Sequence, residues 1–121
     1  MRYDEIHPSF RIFLGTFTCL RQFGFTRDEI YCEIAKSAQN GGALSIFATL
    51  RTQGKEFKIE CAPIESETLF LNEYDKLMSN VDKISDADTW KMLAESQAYR
   101  HKVDLIFALM KKGIRIPIAG N

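Results

Sequence analysis

"GFTRDEIYCEIAK", residues 24–36, reads equally well as two different structures, and the fold turns on which is right. As a helix, Thr26 and Glu29 form a capping box, and Ile30, Tyr31, Ile34, Ala35 and Ala38 fall in one broad arc. "NGG" at 40–42 would then stop it. As a strand, Ile30, Cys32 and Ile34 alternate with Tyr31, Glu33 and Ala35, and "QNGG" becomes a hairpin loop. The helical reading supplies the recognition helix of a winged-helix nucleic-acid binder. The strand reading supplies the first strand of a sheet.

Local pattern leans to helix, but the context leans to strand. In "ALSIFATLRT", Leu44, Ile46, Ala48 and Leu50 alternate with Ser45, Phe47, Thr49 and Arg51. In "KEFKIECA", Phe57, Ile59 and Cys61 alternate with Glu56, Lys58 and Glu60. "TQGK" joins the two runs, with Gly54 free to take positive φ in a tight turn. A lone hairpin is marginal in water, and a third strand makes a sheet able to carry helices. β-branched and aromatic residues are dense at 30–34. We therefore expect a strand, with Ile30, Cys32 and Ile34 inward and Tyr31 and Glu33 outward.

The flanking segments read as helices. Residues 8–23 open on Pro8, place Phe10, Phe13, Leu14, Phe17 and Leu20 in one stripe, and stop at Gly24. Residues 67–79 follow the N-cap Ser66 and carry Phe70, Tyr74, Leu77 and Met78. Ser85 with Asp88 starts a third helix, expected to run unbroken over 86–112 and to close at Gly113. Apart from Asp104, residues 103–110 are apolar nearly all round, so that segment must be buried on more than one side. Either a second chain or the tail "IRIPIAGN" would cover it, and Pro117 confines any strand in the tail to a sheet edge. The expected fold class is thus α+β: one domain, 1–121, with a three-stranded antiparallel meander packed with helices and a long C-terminal helix.

Charge narrows the function. The chain has 16 bases and 16 acids, net zero, where a dedicated nucleic-acid binder carries a basic excess. The charges are segregated: 7 bases and 5 acids in 1–55, 4 and 10 in 56–95, 5 and 1 in 96–121. The segment "RDEIYCEIAK" is rich in acids, which disfavour an approach to phosphates. Nucleic acid is therefore an unexpected partner. No apolar run nears the length of a membrane span, and the N-terminus lacks the apolar core of a secretory signal. Cys19, Cys32 and Cys61 are odd in number and widely spaced, matching neither a zinc pattern nor a redox pair, which points to buried thiols in the cytoplasm.

Chemistry is sparse. There is no phosphate-binding glycine loop, metal-ligand spacing or nucleophile elbow, so no catalytic residue, metal or cofactor is expected. His101, with Gln97 and Asp104 in helical reach, is the one candidate acid or base, and an enzyme or ligand-binding domain would need a pocket around it. The stronger features are surfaces. The outward sheet face gathers Tyr31, Glu33, Phe47, Arg51 and Lys58, aromatics mixed with charges as in protein contacts. Val103, Ile106, Phe107 and Met110 form a second candidate interface. The leading expectation is a non-catalytic protein-interaction or adaptor module, acting on a protein partner or as a homodimer. The enzyme is the alternative, and the winged-helix binder is third.

Overall fold

The computed structural model describes residues 3–118. Residues 24–36 resolve as a strand that keeps the capping box. Arg27–Glu29 make a single 3₁₀ turn, and β1 (Ile30–Lys36) follows directly. Glu29 Oε1 accepts from the Thr26 backbone N–H at 2.8 Å and from the Thr26 hydroxyl at 3.0 Å. The Thr52 hydroxyl also donates to this carboxylate. The capping signal was therefore real, but it caps one turn. Among the described residues no α-helix precedes the hairpin other than α1 (Pro8–Gln22), so the winged-helix arrangement is absent from them.

β2 (Leu44–Thr52) and β3 (Lys55–Pro63) complete an antiparallel sheet in the order β1-β2-β3. Ile30 faces Leu50, Cys32 faces Ala48 and Ile34 faces Ile46. Leu50 faces Phe57 and Ala48 faces Ile59. The register shifts between Ile46 and Phe47, whose partners are Ala62 and Glu60. Cys61 is the extra residue of this bulge, and its thiol turns toward Thr16 on the helix layer. The β2–β3 turn places both Gln53 (φ 57°) and Gly54 (φ 74°) in the left-handed region, as a two-residue type I′ hairpin requires.

α1 lies on the inner face of the sheet and is buried on two sides. Phe10, Phe13, Leu14, Phe17 and Leu20 are buried, as the stripe implied, but so are Gly15, Thr16 and Cys19. The second side packs on α3 (Asp86–Glu95) and α4 (Gln97–Arg100). The molecule is thus three layers deep, sheet, α1 and α3–α4. α2 (Glu67–Asn80) flanks α1 through Phe70, whose ring stacks on Phe10 at 5.8 Å and on Tyr74 at 5.2 Å. Arg27 ties the far end of α2 to the 3₁₀ turn, donating to Met78 O at 2.9 Å and pairing with Asp82 at 2.7 Å. Ser66 and Ser85 cap α2 and α3 as expected, each accepting a backbone N–H at 3.2 Å.

The unbroken helix over 86–112 does not form. It is three pieces, α3, α4 and α5 (Lys102–Lys111), divided at Ser96 and His101. Ser96 is extended (φ −83°, ψ 124°) and fully buried, with its hydroxyl 2.9 Å from that of Thr16. The same hydroxyl accepts from Tyr99 N–H and so starts the next helix. A straight helix would carry this region away from α1, whereas the break folds it back. The α5 C-terminus closes in a Schellman motif, with Gly113 N–H bonded to Met110 O and Ile114 N–H to Leu109 O, both at 2.9 Å. Among its described residues, 114–118, the tail forms no strand. Ile114 and Ile116 are buried, and Ile118 N–H bonds to Phe23 O at 3.1 Å. Gln53 pins the tail, accepting from Arg115 N–H at 2.8 Å and donating to Arg115 O at 2.7 Å.

Candidate functional site

Two surfaces carry the residues that the sequence singled out. The first is the outward sheet face, which no helix covers: Tyr31 is 42% exposed, and Glu33, Arg51, Glu56 and Lys58 are partly open. Strand alternation and the register bring Tyr31, Thr49 and Lys58 into one row, with Glu33, Phe47 and Glu60 in the row on one side of it and Arg51 and Glu56 on the other. Arg51 organises the face. Its Nη2 donates to both Glu33 oxygens at 3.0 and 2.9 Å, its Nε donates to Glu56 at 3.0 Å, and its guanidinium lies 4.5 Å from the Tyr31 ring centroid. Lys58 adds a looser contact to Glu56 at 3.8 Å. At the other end of the face, Glu60 accepts from Ser37, Ser45 and Asn40 and holds the 37–42 loop against the sheet.

The charges of this face answer one another. The buried Thr49 hydroxyl approaches Glu33 without reaching regular hydrogen-bond geometry, and together with Arg51 it holds the Glu33 carboxyl below its usual range. The Thr26 backbone N–H, then Thr52, does the same for Glu29. Carboxyls whose folded pKa lies below the unfolded value, about 4.3, stabilise the fold fully above that value. The contribution is lost as pH falls through the folded pKa. The melting temperature should therefore be level above about pH 5 and drop below pH 4. Glu29→Gln should lower the plateau and flatten the drop in a pH series of thermal melts. An unchanged acid limb in that variant would show that other carboxyls govern it.

The second surface is the outer side of α5. Leu105 and Leu109 turn into the core, Ile106 is half-buried, and Val103, Phe107 and Met110 are 59%, 63% and 60% exposed. These three stand four and three residues apart and form one apolar stripe along the helix. The described part of the tail, residues 114–118 of the segment expected as one of the two covers, turns Ile114 and Ile116 into the core and leaves the stripe open. The sequence pattern found these residues, but not the charges beside them. Asp104 and Lys111, seven residues apart, lie along one flank of the stripe, and neither is ion-paired among the described residues.

The reactive side chains are placed otherwise. His101 is exposed at the α4–α5 junction and makes no side-chain cap. A cleft of about 570 Å³ lies at the β2–β3 turn between Glu29, Arg51, Lys55 and Glu56, and others lie beside Tyr3, Phe10 and Pro63; none of these four is lined by His101. His7 caps α1, its Nδ1 accepting from Ser9 N–H at 3.2 Å. Burial pushes the Cys19 and Cys61 thiols up to about 11 and raises Cys32 further. Among the described residues no cluster of His, Cys, Asp or Glu has the arrangement of a metal site, and no helix is long and apolar enough to cross a membrane. Comparison with protein-family models, curated proteins and solved structures finds no match.

Proposed function

We propose that this protein is a non-catalytic contact module, a small adaptor that engages a protein through the outer side of α5. The observation that carries the reading is the stripe of Val103, Phe107 and Met110, each more than half exposed on a helix whose other side is firmly seated in the core. Large apolar side chains aligned on one rigid element are the usual centre of a protein contact, ringed by polar groups. The sheet face is the weaker candidate, because its charges already answer one another and a partner would have to displace them. The protonated, inward thiols and the solvated His101 support the non-catalytic part, and three unpaired cysteines suit a reducing cytoplasm.

The test is capture of bound proteins from a native extract with three baits: the wild type, Phe107→Glu and Arg51→Glu. We expect Phe107→Glu to lose the specifically bound set and Arg51→Glu to keep it. Loss with Arg51→Glu alone would move the contact to the sheet. Equal capture by all three baits would remove the reading.

A further inference from the structure

The charges flanking the α5 stripe identify its occupant, and we infer that it is α5 of a second copy, docked antiparallel about a twofold axis beside Phe107. This rests on the reading of α5 as a contact surface. Val103, Phe107 and Met110 occupy successive seam positions of a coiled-coil contact, with the alternating spacing of four and three. Asp104 and Lys111 both stand one residue after a seam position, so they project from the same flank; two turns of helix bring them back to within about 20° of each other.

The direction follows from that flank. A twofold axis perpendicular to two antiparallel helices keeps like flanks side by side. Asp104 precedes Phe107 by three residues, and Lys111 follows it by four. Across an axis at Phe107, Asp104 and Lys111 of the second copy are offset by a single residue, about 1.5 Å of rise. The symmetry makes two such pairs from two otherwise unpaired charges. On the opposite flank the half-buried Ile106 meets its own copy and closes the seam with an apolar contact. Val103 then faces Met110 of the second copy, and the two Phe107 rings meet at the centre. A parallel pair has none of this matching: its Asp104 and Lys111 would lie against Ile106 and Gly113.

The contact is short. α5 has 10 residues, so the buried area falls at the low end of protein interfaces and the dimer should be of micromolar strength. The pairing also uses the basic end of the chain without crowding it, since the neighbouring cations Lys102 and Lys112 fall off the paired flank by helical spacing.

Sedimentation equilibrium and light scattering over a micromolar concentration series test this. The wild type should pass from the 13.9 kDa chain to twice that mass. Phe107→Glu should stay at the single-chain mass with an unchanged circular dichroism spectrum, because Phe107 is not a core residue. Asp104→Lys and Lys111→Asp should each weaken the dimer by about tenfold, as two pairs turn from attractive to repulsive. The double variant Asp104→Lys/Lys111→Asp should restore it. A wild type of single-chain mass at the top of the series would overturn the inference. So would a double variant no tighter than either single one. A monomeric wild type that still captures proteins through Phe107 would leave the adaptor reading standing and this one refuted.

Discussion

Gly15→Ala is expected to destabilise the protein by about 3 kcal/mol, although alanine is the better helix former by about 1 kcal/mol. A Cβ built on Gly15 would stand 2.1 Å from the carbonyl oxygen of Met92 and 2.9 Å from the Cβ of Ser96. Both obstacles belong to the layer that α1 supports, and the nearer is main chain, which cannot rotate away. Relief would require α3 to move outward as a body and leave Met92 and Leu93, both 1% exposed, poorly packed. The clash therefore outweighs the propensity gain. Urea unfolding followed by far-ultraviolet circular dichroism reads the change directly. A midpoint equal to or above the wild type would mean that α3 can shift without loss and that the close crossing is dispensable.

The double substitution Ile114→Ala/Ile116→Ala should cost about 5 kcal/mol, from burial loss and cavity formation at two sites. That is comparable to the whole stability of many domains, so the variant should be largely unfolded at 37 °C. Ile114 is 1% and Ile116 5% exposed, and the Gln53 amide holds the Arg115 backbone between them. With the side chains cut back, the tail keeps its backbone hydrogen bonds at Ile114, Arg115 and Ile118 but loses its two buried apolar anchors. The two sites are neighbours, so the sum of the single variants need not equal the double. The measurement is the same unfolding curve, with the single variants alongside. A combined loss under 2 kcal/mol would show that water or neighbouring side chains fill the space readily.

These two sites also mark where the sequence was hard to read. The sheet was legible, because alternation over three runs and a QG turn define both register and inward face, and Tyr31, Glu33, Phe47, Arg51 and Lys58 do share the outer face. Residues 26–30 carried a capping box and a strand start, both genuine, and only the pairing of β1 with β2 says where one yields to the other. The helix over 86–112 was misread at Ser96, since nothing in "AESQAYR" forbids a helix. The break is imposed from outside, by the Thr16 hydroxyl and by the crossing at Gly15. A run of small residues on the second side of α1, Gly15, Thr16 and Cys19, was the available sign that another helix comes close. The tail is hard to read for a related reason. Its alternating isoleucines resemble an edge strand, but Ile114 and Ile116 turn into the core while Ile118 stays exposed. The backbone of this segment bonds to Leu109 O from Ile114, to the Gln53 side chain from Arg115 and to Phe23 O from Ile118, not to a strand ladder. The α5 stripe was legible as apolar, whereas which of its residues would face outward depended on the helix breaks.

The pinning of the tail by Gln53 bears on how the protein is made. Gly24, in left-handed conformation at the end of α1, has Pro117 and Ile118 against it: a Cβ there would come within 2.9 Å of the Pro117 side chain. The end of the first helix, the tip of the β2–β3 hairpin and residues 114–118 therefore form one junction. The hairpin is local and can close within microseconds of leaving the ribosome, but its neighbours at this junction are synthesised about 60 residues later. At a few to twenty residues per second, the sheet and α1 wait several seconds with the inner edge of the core open to solvent. The nascent chain is then most exposed to aggregation and to chaperones, and the release of Ile116 from the exit tunnel ends that interval.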